Sequence, residues 1–196
     1  MRKLALAALL LAPAAAAAQS TGTPVFAAPY RAFEKSEIGV SLSDPGSGLA
    51  LEGFYKVANK KWDIGFRAGF MDNNGGDTPI LLGVDARSKL VQHSESFPLD
   101  GALTVGAGAI LVDQFNEFLI PVGVSLGRRV NLEGDNVSFV PYFQPLLTPV
   151  FGEGNSDLLF SVGVGADVKV GRNVDLRISG ALGDYQGIAF SAAWLH

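Results

Sequence analysis

Apolar and polar residues alternate along most of this chain, and the alternation is clearest in the segment 158–182. Leu158, Phe160 and Val162 begin an apolar face that continues to Val170, and small or charged residues fill the intervening positions. Side chains on a β-strand point alternately to its two faces. The pattern therefore predicts two antiparallel strands, each with one apolar face, joined by a tight turn at 171–173.

The same alternation predicts further strands before and after this hairpin. They cover segments 37–42, 49–57, 62–71, 80–89, 103–111, 118–127, 137–144 and 188–194. Long loops are expected at 72–78 and 147–157, and a long link at 92–100. The segment 137–144 is the weakest of these predictions because Pro141 and Pro145 cannot donate ladder hydrogen bonds. The count is about ten strands, with eight as the alternative.

The first residues have the three parts of a secretory signal peptide. Arg2 and Lys3 form a short basic region, residues 4–11 are apolar, and 14–18 is a run of alanines that fits a small-residue cleavage site. The apolar part is too short to cross a bilayer as a helix. We therefore expect 1–19 to be a cleaved signal peptide, 20–35 an irregular lead-in and 36–196 the folded domain.

Composition narrows the class of protein. The chain is 48% hydrophobic with 24 glycines and no cysteine, so disulfides and thiolate metal sites are excluded. It has 15 basic and 19 acidic residues, and removal of Arg2 and Lys3 leaves 13 basic ones, a net charge of −6. An acidic chain without a basic run argues against a nucleic-acid partner. High average hydrophobicity without a long apolar run is typical of strands that face lipid on one side.

An apolar face on every strand can be covered in two ways. A transmembrane barrel turns that face toward lipid, whereas a soluble lipocalin-like barrel turns it inward around a ligand. The segment 158–170 is long enough to cross a bilayer, since ~9–11 tilted residues suffice. We therefore predict an all-β protein, a closed antiparallel up-and-down transmembrane β-barrel, and keep the periplasmic ligand-binding barrel as an alternative.

The export signal, strands such as 62–71 and 158–182, and the closing strand 187–196 resemble small bacterial outer-membrane β-barrel proteins, the group that includes OmpA-type and OmpW-type barrels. The likeness covers nearly the whole mature chain and is one of pattern. It implies a bacterial outer-membrane location, with membrane lipid and the barrel assembly machinery as partners. Such barrels commonly end on Phe, whereas here Trp194 is followed by Leu195 and His196.

Charged residues of both signs fall on the face opposite the apolar one, which is the inner face of the predicted barrel. They are Glu52, Lys56, Asp63, Arg67, Asp85, Arg87, Lys89, Asp167, Lys169, Asp175 and Arg177. Buried charges must be paired or solvated, so these residues are expected to form ion pairs, or else a constriction that selects a small polar solute. Inward glycines at 106, 108, 123, 163 and 165 would either leave a small lumen or accommodate bulky neighbours.

Aromatic residues fall near the predicted strand ends, where membrane barrels carry aromatic girdles. We expect Tyr55, Trp62 and Trp194 at the periplasmic interface and Phe70 and Phe118 at the outer one.

Catalytic chemistry has one candidate. His93, Ser94 and Glu95 could act in a lipid-modifying hydrolase, but a triad needs a serine within hydrogen-bond reach of the histidine, and such clusters are common in polar loops. A histidine metal site is poorly supported because His93 and His196 are the only histidines. We therefore expect no catalytic residues, no metal and no cofactor, and a porin-like or structural barrel in the cell envelope.

Overall fold

A computed structural model describes residues 20–29, 34–73, 76–113, 115–132, 137–152 and 154–196. The predicted signal peptide and part of the lead-in, 30–33, lie outside these residues. Within them, no helix is long and apolar enough to cross a membrane.

The described residues form a closed antiparallel barrel of ten strands, as the alternation predicts. The strands are β1 (Glu37–Asp44), β2 (Leu49–Ala58), β3 (Trp62–Asp72), β4 (Ile80–Val91), β5 (Asp100–Val112), β6 in three stretches (Phe115–Leu119, Val122–Gly127 and Val130–Asn131), β7 (Val137–Gly152), β8 (Asn155–Val170), β9 (Val174–Gly183) and β10 (Gly187–Leu195). Each strand pairs with its neighbours in sequence, and β1 pairs with β10 from Glu37↔Leu195 to Asp44↔Ile188. This last pairing closes the sheet and leaves no free edge.

The two ends of the barrel differ in what they carry. We call the end where β1 begins and β10 finishes the terminal end; it includes the turns at 59–61 and 171–173. The opposite end, with the connections at 45–48, 76–79 and 184–186, is the loop end.

The prediction of a long loop at 147–157 is wrong. β7 and β8 continue through it and pair from Asn155↔Gly152 down to Val170↔Val137. The positive φ of Gly154, 84°, falls in the connection between them, where glycine is favoured.

Prolines do not exclude β7 from the barrel, contrary to the doubt raised by the sequence. Pro141, Pro145 and Pro149 pair without interruption with β8. Their missing N–H groups lie on the β6 side, where the β6–β7 pairings skip these positions and β6 is broken into short stretches. Their carbonyls still accept there, from the Arg128 and Ile120 amides at 3.4 and 3.0 Å for Pro141 and Pro149. The barrel therefore accommodates the prolines of β7, and the neighbouring strand β6 is irregular as a result.

The outer surface of the barrel is apolar. Large side chains such as Phe66, Val164 and Phe190 are 55%, 38% and 54% exposed, while charged or polar side chains on alternate positions of the same strands are buried. This orientation is the reverse of the one that a lipocalin-like barrel requires.

Placing a charge on this surface tests its environment. Val164 lies near the middle of β8, and Val164→Arg is expected to lower the free energy of unfolding in lipid by about 2–4 kcal/mol. Val170→Arg is the matched control, since Val170 is on the same face but at the strand end, where the cost is about 0–1 kcal/mol. Urea titration of protein folded into lipid vesicles measures both, and equal costs would contradict a depth-dependent apolar surrounding.

Candidate functional site: the barrel interior

Three ion pairs lie side by side on the inner face of β2, β3 and β4. The Arg87 guanidinium donates to both carboxylate oxygens of Asp63, Nε–Oδ1 at 3.0 Å and Nη2–Oδ2 at 2.7 Å. Arg67 Nη1 donates to Glu52 Oε2 at 3.2 Å, and Lys56 Nζ to Asp85 Oδ2 at 3.1 Å. All these groups are nearly inaccessible to solvent, so each charge is stabilised by its partner rather than by water.

The Lys56–Asp85 ion pair depends on a glycine. Gly65 lies between Lys56 and Asp85 in the sheet, and a Cβ at this position would be 2.8 Å from Asp85 Oδ1 and 3.0 Å from Lys56 Cγ. The absence of a side chain on β3 thus lets a lysine on β2 reach an aspartate two strands away.

A second cluster surrounds Arg177 on β9. Its guanidinium donates to Asp175 Oδ2 at 2.9 Å, lies 3.3 Å from Asp167 Oδ2 on β8, and makes a two-pronged bond with the Glu37 carboxylate on β1. The contact with Glu37 crosses β10, so it links the first strand to the end of the chain across the closing seam. One buried guanidinium therefore holds three buried carboxylates in place.

Phe54 connects the two clusters. Its ring lies 5.8 Å from the guanidinium carbon of Arg67 and 5.8 Å from that of Arg177. These are cation–π distances, which are worth most in sites shielded from water.

Residues 20–29 pass through the interior of the barrel. All ten of these residues are buried. Thr23 Oγ1 donates to Glu52 Oε2 at 2.7 Å, the Phe26 amide donates to Ser179 Oγ at 3.3 Å, and the Ala28 amide donates to Asp167 Oδ2 at 3.2 Å. The segment thus shares its carboxylate partners with both charge clusters.

Two further bonds hold the carbonyls of this segment. Ser179 Oγ donates to Pro24 O at 2.7 Å, and Ser125 Oγ donates to Ala27 O at 3.2 Å. With the charged partners above, the backbone of an irregular segment is hydrogen-bonded inside the barrel. We call residues 20–29 the inner segment.

Inward glycines make room for the inner segment and for large neighbours. A Cβ at Gly163 would lie 2.5 Å from the Phe26 ring, and one at Gly108 would lie 1.6 Å from Ser20 O. Gly123 and Gly165 similarly face Leu146 and Tyr142. Of the two alternatives left by the sequence, the structure favours accommodation of neighbours over an empty lumen.

The cavities that remain inside are small. One of about 20 Å³ is lined by Ser20, Asp85, Arg87 and Gln144, and this is roughly the space of a single water. A larger one of about 220 Å³ opens near the loop end against Thr21, Thr23 and Tyr185. Burial and the nearby Glu117 carboxylate raise the pKa of Tyr185 to about 12.

Nine of the eleven charged residues predicted to face inward are buried, and two are not. Lys89 is exposed and Lys169 is half-buried, because both lie at the terminal end beyond the paired charges. Their register still places them on the inner face, since Lys89 is opposite the buried Ala102 and Lys169 is opposite the buried Asp175. Glu37 was missed as a site residue although its alternation with Ile38 placed it inward, and the inner segment was missed because its two prolines and mixed polarity gave no strand pattern.

The predicted aromatic residues lie on the outer surface at the expected ends. Tyr55, Trp62 and Trp194 are at the terminal end, and Phe70 and Phe118 are near the loop end, all between 40% and 54% exposed. Tyr55 also stacks on His196, with ring centroids 5.8 Å apart.

His93 hydrogen-bonds an aspartate. Its Nδ1 lies 3.1 Å from both carboxylate oxygens of Asp100, whereas Ser94 Oγ contacts Ser96 Oγ at 3.1 Å and accepts from the Phe97 amide at 3.2 Å. These contacts stabilise the 92–99 link, and the hydroxyls of Ser94 and Ser96 are hydrogen-bonded within it. In the described part of the chain, no three His, Asp or Glu side chains are grouped to hold a metal ion.

Comparison with known proteins finds similarity in structure but not in sequence. No family model matches the chain, and no curated protein matches its sequence. Among solved structures, the β-domain of the Bordetella autotransporter BrkA matches with a TM-score of 0.51 at 12% identity, over 83% of this chain and 99% of that one. The chain has the fold of a small outer-membrane β-barrel.

Two other structures match less well. They are a bacterial polysaccharide outer-membrane secretin (TM-score 0.49, 11% identity, 83% of this chain and 65% of that chain) and the Acinetobacter baumannii outer-membrane protein Omp33 (TM-score 0.35, 11% identity, 83% and 98%). The chain thus spans about two thirds of the length of the secretin chain.

Arg177 is the most informative residue to remove. Arg177→Gln leaves Glu37, Asp167 and Asp175 buried without their shared guanidinium, and is expected to cost about 3–5 kcal/mol of unfolding free energy. Lys60→Gln, on an exposed turn, is the control and should stay within about 0.5 kcal/mol. Urea titration in lipid vesicles compares the two, and an Arg177→Gln variant as stable as the control would contradict the role given to this network.

Proposed function

We propose that this protein is a bacterial outer-membrane β-barrel whose interior is closed at rest, with a structural rather than an enzymatic role. The observation that supports it most strongly is the burial of the inner segment inside a barrel with an apolar exterior. A passage for solutes would have to run through space that residues 20–29 and the ion pairs already occupy.

The membrane location rests on three independent features. The outer surface is apolar along the strands, aromatic side chains flank it at both ends, and the chain begins with the pattern of an export signal. An aqueous surrounding would leave large apolar side chains on every strand exposed to water, which soluble monomers avoid.

The orientation follows from the position of the chain ends. In single-chain bacterial barrels both ends of an even-stranded sheet lie on one side, the periplasmic one. The terminal end is then periplasmic and the loop end faces the cell exterior.

A narrow pore is the second candidate function, and it requires movement of the inner segment. Ser179 bonds this segment twice and Phe26 rests on Gly163, so these contacts would have to break for a lumen to open. The two candidates therefore differ in whether conductance exists before these contacts are weakened.

Single-channel recording separates them. The mature wild-type protein in planar bilayers is expected to show no steady conductance, and the double substitution Phe26→Ala/Ser179→Ala is expected to produce openings because the inner segment loses its ring contact and two hydrogen bonds.

Ser191→Ala is the matched control, since Ser191 is another buried inward serine but one whose hydroxyl has no hydrogen-bond partner among the described residues. It should behave as wild type. Steady wild-type conductance that Phe26→Ala/Ser179→Ala leaves unchanged would contradict the closed interior and favour a pore.

A further inference from the structure

Charges outside the interior are unevenly distributed between the two ends of the barrel. In the described part of the chain, the basic side chains other than those of the two interior charge clusters all lie at the terminal end: Lys35, Lys60, Lys61, Lys89, Arg128, Arg129, Lys169 and Arg172. The loop end has acidic side chains only: Asp44, Asp72, Asp77, Asp113, Glu117, Asp157 and Asp184. The terminal end also carries Glu34, Glu95 and Asp100, so its described residues amount to eight cations against three carboxylates. This excess gives the terminal end a positive potential that attracts anions.

Half of the basic side chains at the terminal end converge on one pocket. Lys35, Arg129, Lys169 and Arg172 line a cavity of about 500 Å³ between the start of β1, the end of β6 and the turn from β8 to β9. This volume is in the range of small-molecule sites. The remaining basic residues of this end, such as Lys60 and Lys61, lie on other turns.

Polar groups complete the lining. Asn131, Ser138 and Asn173 contribute to the pocket, and Asn131, Ser138 and Lys169 are neighbours in the sheet because Ser138 pairs with both. Asn173 is held in place by its Nδ2, which donates to Leu195 O at 2.6 Å.

Nearby carboxylates do not cancel this charge. Asp175, opposite Lys169 in the sheet, already accepts from Arg177 at 2.9 Å. Glu34 is the chain neighbour of Lys35, and Glu133 and Asp135 lie outside the described residues; counting all three leaves four cations against three anions.

We propose that this pocket binds a small anion that carries phosphate and at least two negative charges, at the mouth of the barrel's terminal end. Guanidinium groups match phosphate oxygens in a planar two-pronged geometry, and lysines add mobile donors around them. The same chemistry is offered by a soluble phosphate compound and by a phospholipid headgroup. The pocket does not depend on whether the barrel interior is closed.

Calorimetric titration of the full mature chain, folded in detergent at low ionic strength, tests the proposal with pyrophosphate as the probe. Saturable binding is expected, and Lys169→Gln/Arg172→Gln should weaken it about tenfold, as loss of two partly exposed charge contacts implies. Short-chain phosphatidic acid, whose phosphomonoester headgroup can carry two negative charges, is titrated below its micelle concentration and distinguishes the lipid source from the soluble one.

Lys60→Gln/Lys61→Gln is the matched control, because it removes the same charge from the same end outside the pocket. It should change affinity by less than about twofold if the effect is local. The charge-conserving pair Lys169→Arg/Arg172→Lys should retain binding if the loss reflects charge rather than misfolding. Absence of saturable binding to either probe, or equal losses in both glutamine pairs, would overturn the proposal.

Discussion

The structure depends on one constraint: an alternating strand in a closed sheet turns every polar side chain into a narrow interior when its apolar side chains face outward. Charges that cannot reach water need partners there. On the inner face these partners are ion pairs between neighbouring strands and Arg177, which is shared among three carboxylates. Because Glu37 and Arg177 belong to strands on either side of β10, this interaction also ties the first strand to the last part of the sheet. Closure of the barrel therefore also brings the Glu37 carboxylate to its buried partner.

A paired interior is still not a filled one, since ten strands enclose more space than the charged side chains occupy. The inner segment fills this space. It can approach the barrel wall closely because the inward glycines have no side chains. Segment and wall are linked chemically as well as sterically: Thr23 and the Ala28 amide bond Glu52 and Asp167, which are members of the ion-pair clusters. Any movement of the segment would change the electrostatics of the wall, so the closed state and the stability of the barrel are coupled.

Periodicity was sufficient to predict the strands, their inward and outward faces and the ten-stranded barrel, because those features follow from local alternation. It was not sufficient where long-range pairing overrides local signals. Pro141, Pro145 and Pro149 are unfavourable in a central strand, yet β7 pairs with β8 at all three positions. The inner segment has no alternation to detect, and its burial is decided by glycines distant in sequence. Lys89 and Lys169 obeyed the inward phase but lie too close to the strand ends to be buried, which alternation alone does not reveal.

Thiol accessibility tests the central claim, a barrel filled by its own N-terminal segment, most directly. The chain contains no cysteine, so a single Ala28→Cys substitution reports without background. Ala28 is fully buried, whereas Ser47 is in an exposed connection at the loop end. In protein folded into lipid vesicles, the account predicts that a polar thiol reagent labels Ser47→Cys rapidly and Ala28→Cys only after denaturation. Rapid labelling of Ala28→Cys in the folded barrel would contradict the account, because the inner segment would then lie outside or in an open lumen.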